Sequence, residues 1–173
     1  SDVSDLTGAK GGFKEQVHEI ALNYFKEAIK LDPQFEKAYS QIAESLYSLK
    51  RYSEAIPYYD KVIEINPNDA GAYNDRGLAK TYSNDYYSAT SDFSDAIRLK
   101  KKDQSSLENT YENRASAYIK ASNYDRAIDD YSSAIGLKFA STVFIMSLPQ
   151  IRNLYPELSD ISDNDLLEGL RQK

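Results

Sequence analysis

His18 is the single histidine of the chain, and Glu15 and Glu19 stand three residues before it and one after it. On a helix those three side chains share one side, the arrangement that would ligate a metal ion or let a carboxylate orient an imidazole as a general base. Three groups do not close such a site. The sequence holds no cysteine, so an exposed or turn-packing histidine is the expectation. The carboxylate pairs Asp129 with Asp130 and Asp92 with Asp95 have the composition of an acid–base couple. They fall on helical patterns whose opposite face is apolar, so they are expected on a solvated face. Gly8, Gly11 and Gly12 lack the preceding strand and the basic residue that a phosphate cradle needs, and no dinucleotide fingerprint, P-loop or nucleophile elbow occurs. No enzyme, cofactor or metal is expected from these residues.

Charge narrows the partners. A formal net charge of −6 over 173 residues opposes the phosphate neutralisation on which nucleic-acid binding depends, so no nucleic-acid partner is expected. The one basic cluster, Arg98, Lys100, Lys101 and Lys102, reads as cations complementing a helix C-terminus. No stretch reaches the roughly 18 apolar residues of a membrane span, so this segment is not expected to insert into a membrane. Without an initiator methionine or a leader pattern it reads as a soluble fragment of a longer protein. With no cysteine to report on redox conditions the compartment stays open, the cytoplasm being slightly favoured. With 41% apolar residues the chain has enough to build one continuous core.

The elements that must position any site announce themselves by repetition. Ala55, Ala89 and Ala127 occupy matched places, 34 and then 38 residues apart, in three near-copies of one pattern. The copies begin at Tyr39 with Ile42 and Ala43, at Tyr73 with Arg76 and Gly77, and at Tyr111 with Arg114 and Ala115. Within each, apolar residues recur at steps of three and four, as in Tyr39, Ile42, Ala43, Leu46 and then Ala55, Ile56, Tyr59, Val62, Ile63, which predicts two helices per copy. Short polar breaks separate them, at residues 50–53, 84–87 and 122–125, where Ser53 and Asp125 are placed as N-caps. Pro33 and Pro67 end the second helices, having no amide hydrogen to continue them. Ala43, Gly77 and Ala115 should meet Ala55, Ala89 and Ala127 where paired helices cross. Tyr59, Phe93 and Tyr131 should fill the space between copies, and Tyr52, Tyr86 and Tyr124 should plug the turns.

Taken slot by slot, Tyr39, Ile42, Ala43, Leu46, Tyr52, Ala55, Tyr59, Val62 and Pro67 resemble the tetratricopeptide repeat. Tyr73-Asn74-Asp75-Arg76-Gly77 and Tyr111-Glu112-Asn113-Arg114-Ala115 resemble the Asn-Arg-Gly variety frequent in bacterial proteins. The resemblance covers full repeats at 36–69, 70–103 and 108–141 and a partial repeat to residue 35, a repeat domain over 15–141. It implies an all-α fold, a right-handed superhelix of antiparallel helix pairs forming a solenoid with C-terminal capping helices. The three glycines, each costing about 1 kcal/mol against alanine in a helix, predict an irregular or disordered segment over 1–14. Lys80 takes a slot that is usually apolar. Residues 104–107 are extra, and Ser105 with Glu108 forms a capping box. In 142–173, Phe144, Ile145, Leu148, Ile151 and Leu154 suit a capping helix. A short acidic helix then starts at Ser162.

In the resembled family the first helices line a concave surface that binds an extended peptide or a helix of a partner protein. Helical spacing puts Lys37, Gln41, Glu44 and Tyr47 on that side of one repeat, Asn74, Asp75, Leu78 and Tyr82 on the next, and Asn109, Glu112, Asn113 and Lys120 on the last. The asparagines and Gln41 can donate and accept, suiting them to a peptide backbone, while Tyr47, Leu78 and Tyr82 offer side-chain pockets. Family members that clamp the terminal carboxylate of chaperone tails line the groove with basic residues. Here Glu44, Asp75 and Glu112 stand among only Lys37 and Lys120, which does not match that clamp. The expected function is a non-enzymatic protein–protein interaction module with a protein or peptide partner. The alternative is a structural scaffold or self-association domain forming a homo-oligomer.

Overall fold

The computed structural model describes residues 5–100, 107–139, 149, 152, 153, 155–163 and 165. They form helices with no strand among the described residues. The chain divides into two units, Ser1–Ser83 and Asn84–Lys173. The first holds α1 (Asp5–Leu31), α2 (Glu36–Ser48), α3 (Tyr52–Ile65) and α4 (Ala70–Tyr82). Each packs on the next. The second holds α5 (Tyr86–Leu99), α6 (Leu107–Lys120), α7 (Tyr124–Phe139) and a 3-10 helix, Pro156–Leu158, with α6 packed on both α5 and α7.

The repeated small residues permit these contacts. Ala43, Ala55, Ala89, Ala115 and Ala127 are fully buried and Gly77 is buried with them, because helix axes approach closely only where side chains are short. Leu22, Ile42, Leu46, Tyr59 and Ala79 close the core of the first unit around Ala43 and Ala55. Phe93 and Tyr131 are as buried as Tyr59. In the second unit Ala115, Ala127, Ile128 and Tyr131 pack with Tyr155, Leu158 and Ile161. The apolar end of α6 and α7 is therefore covered by residues that follow Leu154. Arg152 grips this segment, donating to the carbonyls of Leu158, Ser159 and Ile161 and to Asp163. Phe144, Ile145, Leu148, Ile151 and Leu154 lie outside the described residues, as do Lys101, Lys102 and Ser105. The hydroxyl of Ser162 accepts from the Asp165 amide at 3.2 Å, the bond of an N-cap.

Several local features differ from the sequence reading. Helix α1 runs unbroken from Asp5 through Gly8, Gly11 and Gly12, where an irregular segment 1–14 was expected. Adding a turn to an existing helix costs far less than nucleating one, so the turns anchored by Leu22 carry the glycines along. The outer side of α1 leaves Phe13, Val17, Ile20 and Tyr24 exposed. Ser53 does not cap α3. The helix begins two residues earlier, with Arg51 at the cap and no side-chain cap bond, and the Ser53 hydroxyl meets that of Ser83 at 3.0 Å. Asp125 likewise lies inside α7, and Asn123 does the capping by accepting from the Arg126 amide. Asp85 caps α5 in the same way through Ser88. Tyr124 is 47% exposed, less enclosed than a ring filling its turn would be.

The carboxylate pairs also divide. Asp129 is exposed, but Asp92 and Asp130 are buried, against the solvated face expected for all four. Arg114 explains Asp130: its guanidinium donates twice to that carboxylate, at 2.7 Å each, and once to Ser94 of α5 at 2.8 Å. Burial alone would make Arg114 easier to deprotonate, yet the hydrogen bond and charge of Asp130 outweigh it and raise its pKa.

Candidate functional site

Helices α2 and α4 both pack against α3, so the first-helix faces of two successive repeats flank one side chain of the intervening helix, Tyr59. Around it lies a cavity of about 250 Å3 lined by Glu44, Tyr47 and Ser48 of α2, Tyr59 of α3, and Asp75 and Leu78 of α4. Glu44 and Ser48 are exposed at its rim, while Tyr59 is buried and forms its floor. Spacing explains the convergence. Glu44 and Ser48 are one helical turn apart with Tyr47 between them, and Asp75 and Leu78 are likewise neighbours along α4.

Neighbouring amides steady both carboxylates. Gln41 Nε2 donates to Glu44 Oε2 at 2.8 Å, and Asn74 Nδ2 donates to Asp75 Oδ1 at 3.1 Å. Burial pushes the Tyr59 hydroxyl well above its usual pKa, and the charges of Asp75 and Glu44 push it further. Tyr47 is raised as well, by burial first and then by Tyr82, Tyr52 and Asp75. Its ring meets Tyr52 edge-on at 5.1 Å and Tyr82 at 5.9 Å, while Tyr52 and Tyr82 stack at 4.8 Å. This three-ring cluster forms a wall beside the cavity and keeps Tyr47 in place.

Of the twelve residues expected to face a groove, Glu44, Tyr47, Asp75 and Leu78 therefore line one cavity, and Gln41, Asn74 and Tyr82 touch its walls. Lys37 is exposed on α2 and is not part of the lining. Asn109, Glu112, Asn113 and Lys120 lie on α6, with Asn109 and Lys120 exposed. A second cavity, of about 310 Å3, by the turns of the second unit, is lined by other residues, among them Tyr86, Tyr118, Tyr124 and Arg126. Glu112 instead directs its charge at Tyr131 and Tyr155, raising both after burial has done so. The spacing argument missed Ser48 and Tyr59. Tyr59 had been assigned wholly to core filling by its place in the repeat, and a residue can be both core and floor.

His18 is half-buried on α1. Among the described residues no group of three or more histidine, aspartate or glutamate side chains is arranged to hold a metal ion. Nor, among them, is any helix long and apolar enough to cross a membrane.

Residues 36–69 and 108–141 each match the family model of the tetratricopeptide repeat. These two stretches are tetratricopeptide repeats. Over 52 residues it is 42% identical to small glutamine-rich tetratricopeptide repeat-containing protein 2 of Mycosarcoma maydis, a match covering 30% of this chain and 15% of that protein. Over 120 residues it is 28% identical to the mitochondrial import receptor subunit TOM70 of Rattus norvegicus, covering 69% of this chain and 19% of that one. The chain thus spans under a fifth of the length of these curated relatives. Among solved structures, MamA from Desulfovibrio magneticus RS-1 superposes with a TM-score of 0.67 at 19% identity, over 73% of this chain and 70% of that one, a likeness of fold. Tetratricopeptide repeats are in general non-enzymatic protein–protein interaction modules.

Proposed function

We propose that this tetratricopeptide repeat domain binds an extended peptide or a helix of a partner protein on the first-helix faces, without catalysing a reaction. The observation that carries the reading is the cavity over Tyr59, where α2 and α4 bring polar, aromatic and apolar groups to one opening. Gln41 and Asn74 supply amides beside it, and Asn109, Asn113 and Lys120 are residues of the same kind on α6. Such a mixture, an apolar pocket with a few fixed polar groups, is what peptide recognition uses. An import receptor subunit among the relatives agrees with a role in meeting other proteins. The test is selection of a random peptide library on the full chain. Binding of the selected peptides should fall about tenfold or more when Asn74, Leu78 and Tyr82 are all changed to alanine, with helicity and melting retained. Undiminished binding by that variant would sink the groove reading.

A second reading, self-association, is favoured by the stripe Phe13, Val17, Ile20 and Tyr24 on α1. Repeat stacks cover such a stripe with a neighbouring helix. Light scattering should then show a mass that rises with concentration in the native chain and stays monomeric in a Val17→Glu, Ile20→Lys variant. A native chain that is monomeric at every concentration rules the reading out.

A further inference from the structure

The cavity over Tyr59 is not neutral. Its two carboxylates come from different helices, Glu44 from α2 and Asp75 from α4, and both line the same 250 Å3 space. Each accepts a hydrogen bond from a neighbouring amide, which fixes its direction. Between the carboxylates lie Leu78 and the rings of Tyr47 and Tyr59. Apolar surface of that kind accommodates a methylene stem, and an aromatic face attracts a cation. The rise in the Tyr59 hydroxyl pKa shows that the field of both acids reaches the cavity floor. A negative, partly apolar recess one side chain in size is complementary to a long cationic side chain and repels an acidic one.

We infer that this cavity is the subsite for a lysine or arginine side chain of the bound peptide, an inference that rests on the groove reading above. The cationic head meets Glu44 and Asp75, the stem lies on Leu78 and Tyr47, and Tyr59 closes the bottom. The partner recognised here is a basic segment, the opposite of an acidic tail.

The experiment uses the full chain and the peptides selected on it from the random library. Expected is a lysine or arginine at one fixed position of those peptides. Replacing that residue by norleucine or citrulline in a synthetic copy should weaken binding, read by fluorescence anisotropy, about tenfold or more. A Glu44→Gln, Asp75→Asn variant, which keeps size and shape, should lose the preference for the charged peptide and the salt dependence of its binding. Selected peptides without a fixed basic residue overturn the inference. So does a Glu44→Gln, Asp75→Asn variant that binds the charged peptide as tightly as the native chain. Either result leaves the groove reading standing, provided that the Asn74, Leu78 and Tyr82 triple variant still weakens binding about tenfold or more. Failure to select any peptide defeats both.

Discussion

Lys50, Asn84 and Ser122 stand at the same place in three successive repeats, and their φ angles are 59°, 65° and 58°. All three lie in the left-handed region, which costs an ordinary residue about 1–2 kcal/mol and glycine almost nothing. The turns require it. After α2 the Arg51 amide donates to the Leu46 carbonyl and the Lys50 amide to that of Tyr47, and after α6 Asn123 and Ser122 do the same to Tyr118 and Ile119. This crossed pair of bonds satisfies the last carbonyls of a helix and closes only if the residue after the cap is left-handed. Lys50→Gly and Ser122→Gly are therefore expected to stabilise the fold by about 1 kcal/mol each, read as a higher urea midpoint, with a smaller gain for Asn84→Gly because asparagine tolerates this region. A lower midpoint for both would show that the side chains matter more than the backbone. Only Asn84 hinted at this conformation in the sequence, since neither lysine nor serine marks a left-handed turn. The site was legible to a similar degree. Glu44, Tyr47, Asp75 and Leu78 follow from spacing, whereas Tyr59 needed the packing of α2 and α4 on both sides of α3 to appear as a floor.

Helix pairs were the most readable elements, because the three-and-four step of apolar residues and the matched alanines both report helix contact. What spacing could not give was the behaviour of helix ends and of buried charge. A start shifted by two residues turns Ser53 from a cap into a side chain that meets Ser83 and hands the capping of α7 from Asp125 to Asn123. The glycines near the N-terminus argued for an irregular segment, but a helix extended from anchored turns overrides intrinsic preference. Buried Asp130 looked like one of a surface pair until Arg114 was placed against it. Arg114 joins α6 both to α7 through Asp130 and to α5 through Ser94. Arg76 of α4 reaches Asp60 of α3 at 2.7 Å. The arginine at this repeated position therefore bonds side chains of neighbouring helices, a role that its place in the repeat pattern alone does not disclose. Removing one partner of the buried Arg114–Asp130 pair would leave the other charge without it, so these residues belong to the framework of the second unit.

Both units bury tyrosine hydroxyls close to carboxylates, which gives the whole molecule a common response to alkali. Tyr47 and Tyr59 in the first unit and Tyr131 and Tyr155 in the second are all raised above the ordinary value of 10.0. Burial is the largest cause in every case. Tyr82, Tyr52 and Asp75 add to it at Tyr47, Asp75 and Glu44 at Tyr59, Glu157 and Glu112 at Tyr131, and Glu112, Glu108 and Glu157 at Tyr155. Tyr131 also donates to Glu157 Oε1 at 2.5 Å, a bond that the phenolate cannot make. Because the fold favours the neutral phenol, its contribution to stability is complete below pH 10.0 and is lost as the pH rises above that value, where the unfolded chain releases its protons first. The urea midpoint should hold steady up to about pH 9 and then fall through pH 10 to 11, with tyrosinate absorbance rising in step with the loss of helicity. Lysines begin to lose charge over the same range, so the decisive comparison is the Tyr131→Phe, Tyr155→Phe variant. It keeps the rings and removes two titrating groups, and its midpoint should depend less steeply on pH than that of the native chain. Identical slopes, or full tyrosine ionisation with the helices intact, would mean that these hydroxyls are not held neutral by the fold.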